Sequence, residues 1–396
     1  MTAHGNRPLL GLLTVVQLVT LLAIAISARA LVWSQRPPDM KIFIEPWFAH
    51  IVHWGPIDAF AHPFSNYAPA YLYLLAIGSL AHDLLAAMDI VKILSVAGTL
   101  YLTTAVAELL RSAGVNSRGA LLILILPSVA INDALLGQSD AIWAGSCILA
   151  LASMIRGRTF ASMLWCGVAI AFKAQAAFIA PVIIGAMVGR RAPLWQWAIP
   201  ALVFLATLLP PWLMGWPGMK LLTVYLDQAR LDQLAGRLPN PWILFTVFGE
   251  ESPRTFFVVG YAAAAAAAGI IGALAARNCR NPKVLILLGA LAGTALPFLL
   301  PKMLERYYFL GDVMTLALAL SIKSPLSRSA LIAVQAASIL SHITYVYFFH
   351  EPWPALIGAI FATAGLCAMC VLIAPSVATL AADIRLRAGR LRSPVY

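Results

Sequence analysis

Charge is what this chain lacks. Only 11% of its 396 residues are Asp, Glu, Lys or Arg, against 61% hydrophobic, and the mean hydropathy is +0.86. A soluble domain of this length needs a charged surface, so that class is excluded and a polytopic membrane protein is indicated. The apolar windows are of helix length rather than the short alternating segments of a barrel, which points to an all-α helical bundle. Acids are scarcer than bases, 16 against 27, for a net charge of +11. In a soluble protein that excess would suggest nucleic acid. In a membrane protein the positive-inside rule accounts for it, and no nucleic-acid partner is expected. Cysteine is also sparse. Cys367 and Cys370 lie one helical turn apart with no second pair to complete a metal site, so the five thiols read as packing groups. His50 and His53 have no third ligand near them in sequence, and no solenoid repeat is present.

What is present is a succession of apolar windows at 9–32, 88–110, 119–133, 140–155, 159–172, 176–188, 194–213, 255–276, 283–300, 307–322, 329–349 and 354–376. Arg7, the first window and Ala28-Arg29-Ala30 resemble a signal peptide, but the run is long enough for a full span, and an uncleaved first helix is expected. A thirteenth window, 67–85, is ambiguous. The short breaks at Arg111/Arg118, Arg156/Arg158, Arg190/Arg191, Arg277/Arg280/Lys283 and Lys323/Arg328 are all basic, as is the tail at 377–396. Placing them with Arg7 on the cytoplasmic side requires that 67–85 re-enter or lie at the interface. The expected architecture is therefore about twelve transmembrane helices with both termini inside. Most acids then gather on the outer face: Asp39, Glu45, Asp58, Asp133, Asp140, Asp227, Asp232, Glu250, Glu251, Glu305, Asp312 and Glu351.

Two outer segments are too long for tight turns. The first occupies 33–87, with an expected interfacial helix rich in Trp, Phe and His and the turn-prone Asn66-Tyr67-Ala68-Pro69. The second, 214–254, carries Leu221, Leu222, Tyr225, Leu226 and Leu231 at helical spacing with Asp227, Arg230 and Asp232 between, an amphipathic helix on the membrane. Ala262 to Ala268 reads as helix interior without function.

Ionisable residues at membrane depth or its edge are functional candidates by default. Four clusters fall on the outer side: Asp39 with Lys41 and Glu45; Gly137-Gln138-Ser139-Asp140; Lys173-Ala174-Gln175 at a hairpin apex; and Pro301-Lys302-Met303-Leu304-Glu305-Arg306-Tyr307. Taken singly each has a plain explanation: a solvated loop acid, a helix N-cap, a snorkelling lysine, a local ion pair. Together, carboxylates, amides and cations on one face suit a sugar joined to a phosphate.

The ordered set resembles the GT-C superfamily of polyprenyl-phosphate-sugar-dependent glycosyltransferases. Within it the chain is similar to bacterial proteins related to the GPI second-mannosyltransferase family and to the neighbouring polyprenol-phosphate mannosyltransferases. The signature runs from Asp39 through Trp47, Gly55, Asn66-Tyr67-Ala68-Pro69 and Tyr71-Leu72-Tyr73-Leu74. It continues with Gly137-Gln138-Ser139-Asp140-Ala141, Lys173-Ala174-Gln175 with Pro181, and Leu300-Pro301-Lys302-Met303 with Glu305-Arg306-Tyr307. Three positions depart from the family pattern: Ala68 where a Pro is usual, Leu304 where a His is usual, and Ala174 where a Pro is common.

The resemblance implies a GT-C-like bundle in the bacterial inner membrane with its active site facing the periplasm. It implies inverting transfer of a hexose, mannose at family level, from a polyprenyl-phosphate donor to a lipid-linked or glycan acceptor. Asp39 would be the general base. Arg306, Lys302 and Lys173 would hold the donor phosphate. Gln138, Asp140, Gln175, Glu305, Trp47, Asn66, Tyr67 and Tyr307 would contact sugar or acceptor, with Trp54 and Trp242 as further stacking faces. Membrane lipids surround the bundle; a divalent metal, used by some members at the carboxylates, stays open. The rival classes are a flippase for a lipid-linked sugar, which predicts an internal repeat and deep broken helices, and a polysaccharide ligase, which predicts a late loop with paired Arg and His; 214–254 has Arg230 and Arg237 but no His.

Overall fold

The computed structural model describes residues 7–228, 237–247, 254–348 and 351–392. Among them every regular element is helical, and an isolated antiparallel β-bridge joins Arg237 to Leu304. The order is α1 (Arg7–Val32), α2 (Glu45–Trp54), α3 (Pro69–Ser79), α4 (Ala87–Ser112), α5 (Pro127–Ala130), α6 (Asp140–Ile155), α7 (Thr159–Phe172), α8 (Ala180–Gly189), α9 (Ile199–Leu213), α10 (Gly218–Leu222), α11 (Val224–Gln228), α12 (Ile243–Val247), α13 (Arg254–Arg277), α14 (Pro282–Leu299), α15 (Phe309–Ile322), α16 (Pro325–Tyr347) and α17 (Trp353–Arg392).

All twelve apolar windows are helical, but they are not equal. Among the described residues seven helices are long and apolar enough to cross a bilayer, or eight if one bent pair counts as a span; the remaining windows give apolar helices of 10–17 residues. The expectation of about twelve spans thus exceeds what length and composition support. The bent pair is the 119–133 window. It turns by 54° between Ser117–Ile125 and Pro127–Leu135, because Pro127 disfavours helical backbone at Leu126, which is extended. The ambiguous 67–85 window forms α3, whose 11 residues reach about 16 Å, half the hydrocarbon thickness.

The main core lies between α4, α6, α8, α14 and α15, with Leu102, Trp143, Ile148, Leu288 and Phe309 fully buried. Small residues beyond the poly-Ala stretch of α13 have a packing role. Gly185 and Gly189 of α8 face Gly272 and Ala276 of α13 so closely that an added Cβ would stand 2.1 and 2.0 Å from their carbonyl oxygens. Small residues let these backbones approach, as in membrane helix pairs generally. Helix α1 is held by a buried ion pair: Arg29 donates to Asp133 at 2.7 and 3.1 Å and to the Leu124 carbonyl, while Thr99 donates to the same carboxylate. Asp133 is therefore an interior tie rather than an outer-face acid.

The first loop is a packed unit. Trp47, Phe48 and Ile51 of α2 are buried with Tyr71, Leu72 and Leu75 of α3 and with Leu208, Trp216 and Leu221 of the α9–α10 region. Each such side chain is worth about 2 kcal/mol where the alternative is water, so this is a rigid wall and not a loose loop. The described residues of the second loop form three short helices, α10, α11 and α12. Leu231, Arg230, Asp232, Glu250 and Glu251 lie outside the described residues, as do the side chains of Arg7, Arg385, Arg387, Arg390 and Arg392.

Candidate active site

Where the first loop, the α7–α8 hairpin and the α14–α15 connection meet, they enclose a cavity of about 370 Å³. Asp39 is set at its wall by the chain on either side. Helix α1 ends before Pro37-Pro38, and the Pro37 carbonyl accepts from the Met40 and Lys41 amides to start a new turn. Lys92, buried on α4, donates to the carbonyls of Trp33 and Gln35, and Trp33 donates its indole N–H to Asp89 at 2.7 Å. The approach to Asp39 is thus pinned to α4.

Both carboxylate oxygens of Asp39 are engaged. The Tyr345 hydroxyl, from α16, donates to Oδ1 at 2.9 Å and accepts the Asp39 amide at 3.1 Å. Arg306 donates through Nη1 to Oδ2 at 2.8 Å and to Glu305 at 2.5 Å. Asp39 nonetheless keeps about a quarter of its side chain exposed (26%) toward the cavity, whereas Glu305 and Arg306 are almost covered. Burial works against the Arg306 charge, but the Glu305 and Asp39 carboxylates outweigh it and push the guanidinium pKa up. Burial, aided by the Asp39 charge and opposed by Arg306, raises the Glu305 carboxyl. The Arg306 Nε–H is buried and has no partner among the described residues.

Across the cavity Lys173 sits at the extended break between α7 and the short 3-10 turn Ala174–Ile179. Its ammonium donates to Asp140 at 2.5 Å and Gln138 at 3.1 Å and lies 5.3 Å from the Tyr67 ring. Asp140 is fully enclosed, accepting also from Trp143 at 2.9 Å and Asn132 at 2.8 Å, so it positions Lys173 and does not reach the cavity. Gly137 makes this possible: its φ is +61°, and an added Cβ would meet Met40 at 2.4 Å.

The expected site residues therefore divide. Asp39, Arg306, Lys173, Gln138, Gln175 and Trp47 line the cavity together, with Asn66, Tyr67 and Tyr307. Asp140 and Glu305 stand behind it as the partners of Lys173 and Arg306. Lys302 does not line it; its ammonium lies 5.2 Å from the Phe257 ring. Trp242 is buried elsewhere, donating to the Leu299 carbonyl, and Trp54 packs beside His53 and His62. His50 is stacked on Phe64 and bonded to the Ala59 carbonyl. Among the described residues no three His, Cys, Asp or Glu side chains gather to hold a metal ion.

Three participants escaped sequence reasoning. Tyr345 lies within the apolar window 329–349, where nothing in the sequence singles it out. Asp227 lines the cavity from α11, and its sequence context is that of any solvated acid. Arg237 pairs its backbone with the cavity-lining Leu304, and its carbonyl accepts the Ser341 hydroxyl at 3.0 Å; burial draws its pKa down against the Glu305 and Asp39 carboxylates.

Comparison with known proteins agrees in outline. Residues 56–189 match the family model described as Alpha-(1->6)-mannopyranosyltransferase, N-terminal domain. The match covers a third of the chain and includes the Asn66–Tyr67, Gln138 and Lys173 walls of the cavity. No curated protein matches the chain. With the apolar helices, the family match supports a membrane glycosyltransferase of a mannosyltransferase-like family; it does not reach the finer likeness to the GPI second-mannosyltransferase group.

Proposed function

We propose that this protein is an integral-membrane inverting glycosyltransferase of the GT-C kind, moving a hexose, mannose by the matched family's description, from a polyprenyl-phosphate donor to an extracytoplasmic acceptor. The observation that carries the proposal is the Asp39 carboxylate, held from two sides yet open to a cavity walled by two cations and three side-chain amides, Asn66, Gln138 and Gln175. Each Asp39 oxygen has a lone pair beyond those used by Tyr345 and Arg306. The acceptor hydroxyl attacks the anomeric carbon as Asp39 takes its proton. The bond from that carbon to the phosphate oxygen breaks, and the lipid phosphate leaves with the electron pair. Arg306 and Lys173 meet the charge it carries; Arg306 offers a planar fork and stays ionised throughout. Gln138, Gln175 and Tyr307 supply hydrogen bonds for sugar hydroxyls, and Trp47 and Tyr67 supply faces. The active site opens to the outer side of the bacterial inner membrane, opposite the basic breaks.

The test is transfer by the purified protein from a synthetic polyprenyl-phosphate mannose, wild type against Asp39→Asn, with membrane extract as acceptor pool. The expected result is transfer by wild type and a fall of at least about a hundredfold in Asp39→Asn, with donor binding retained. Equal rates remove Asp39 from the chemistry. Movement of lipid-linked sugar across liposomes without transfer replaces the proposal by a flippase.

A further inference from the structure

A second cavity of about 390 Å³ adjoins the first. The two share Asn66, Tyr67 and Asp227 as a common wall, so a ligand can extend from one into the other. The second is framed by the first loop at Pro63–Tyr67 and by Trp216, Lys220 and Val224 of the second. Trp216 is 3% exposed, and its indole N–H has no partner among the described residues. Leaving a buried donor unmet is costly, and such groups mark a missing ligand or water. Phe64 stands edge-on to the Trp216 ring at 5.7 Å, fixing the indole plane.

The chemistry of the wall narrows the occupant. A hydrocarbon chain would leave the Trp216 N–H unmet and would bury Asp227 and Lys220 against apolar surface. A phosphate would find one cation, Lys220, opposed by Asp227 on the same wall. Neutral hydroxyls satisfy all three groups, since an indole N–H and an ammonium donate and a carboxylate accepts, while aromatic rings cover the apolar face of a pyranose. We infer that this cavity is a saccharide subsite holding the acceptor's next sugar residue while the reacting hydroxyl lies at Asp39. The inference rests on the transferase proposal for its direction, but the binding it claims is measurable without transfer. It makes the acceptor a glycan and not a bare lipid.

The experiment uses the full chain in nanodiscs without donor. Binding of methyl α-mannoside and of α-(1→6)-mannobiose is measured for wild type, Trp216→Phe and Lys220→Gln, with thermal unfolding as the control for folding. Trp216→Phe keeps an aromatic face but removes the pyrrole ring with its N–H, so a loss there counts only if unfolding is unchanged and Lys220→Gln shows a loss too; Lys220 is exposed, so its variant does not disturb the core. The expected result is tighter binding of the disaccharide by wild type, and a loss of about three- to tenfold of that advantage in each variant, the yield of one hydrogen bond. Equal affinity for both sugars in wild type, or an unchanged advantage in Trp216→Phe, overturns the subsite and leaves only a water on the indole. The two proposals fail separately. Disaccharide preference without transfer from any polyprenyl-phosphate donor keeps the subsite and removes the transferase; transfer without the preference does the reverse.

Discussion

Tyr345→Phe isolates the part of the site that geometry alone revealed. The substitution keeps a buried ring, 5% exposed in the native protein, and deletes one oxygen. That oxygen serves Asp39 twice, donating to Oδ1 at 2.9 Å and accepting the backbone amide at 3.1 Å. A bond to a carboxylate is worth about 1.5–3 kcal/mol and one from an amide about 1 kcal/mol. Asp39 is a quarter exposed, so water replaces much of this and the net cost to folding is about 1 kcal/mol. The cost to transfer is different in kind. With Tyr345 gone, Arg306 alone orients the carboxylate, and loss of alignment worth about 1.4–2.7 kcal/mol lowers kcat about ten- to a hundredfold. Donor KM stays within about twofold, because Tyr345 does not line the cavity. Steady-state transfer from polyprenyl-phosphate mannose, with thermal unfolding run in parallel, separates the two effects. A normal kcat with a lowered Tm makes Tyr345 a packing residue and refutes the argument; a raised donor KM with normal kcat refutes it as well.

Two further outcomes follow from the same geometry. Burial pushes the Tyr307 hydroxyl up to about 12, with the Arg306 charge pulling against it, so the phenol remains a neutral donor well beyond the point where an ordinary tyrosine ionises. Tyr307→Phe is therefore expected to lower transfer by the same factor, about tenfold, at about pH 6 and about pH 10. An effect that vanishes toward about pH 10 would mean that the hydroxyl titrates normally. Gly185→Ala puts a methyl into the Gly272 carbonyl of α13, which forces α8 and α13 apart at about 1–3 kcal/mol, and a Tm equal to wild type would show that the two helices are not pressed together as described.

Much of the fold was legible because its cause is local. Bilayer-length apolar runs and basic breaks are properties of consecutive residues, and each window became a helix. The count of spans was less legible, since α6 and α15 are short helices buried among others, which excuses them from the length a lipid-facing one needs, while α7 and α8 are short yet keep exposed apolar side chains. The break in the third window shows at Pro127, but its partner Arg29 is 104 residues away from Asp133 and looked like part of a leader. The close approach of α8 and α13 was not legible because Gly185 and Gly189 lie far along the chain from the Gly272 and Ala276 they meet.

The same division runs through the site. Sequence alone picked out the apolar helices, the polar clusters, and Asp39, Lys173, Gln138, Gln175 and Arg306 as candidates, because charge and amide in an apolar chain are expensive wherever they stand. It could not assign their roles. Asp140 and Asp39 are both carboxylates beside a helix start, yet one is sealed by Lys173, Trp143 and Asn132 while the other faces open space. Only the tertiary structure decides this, because burial and partners come from residues 306 positions apart, as Tyr345 is from Asp39, and no local pattern encodes such a pairing.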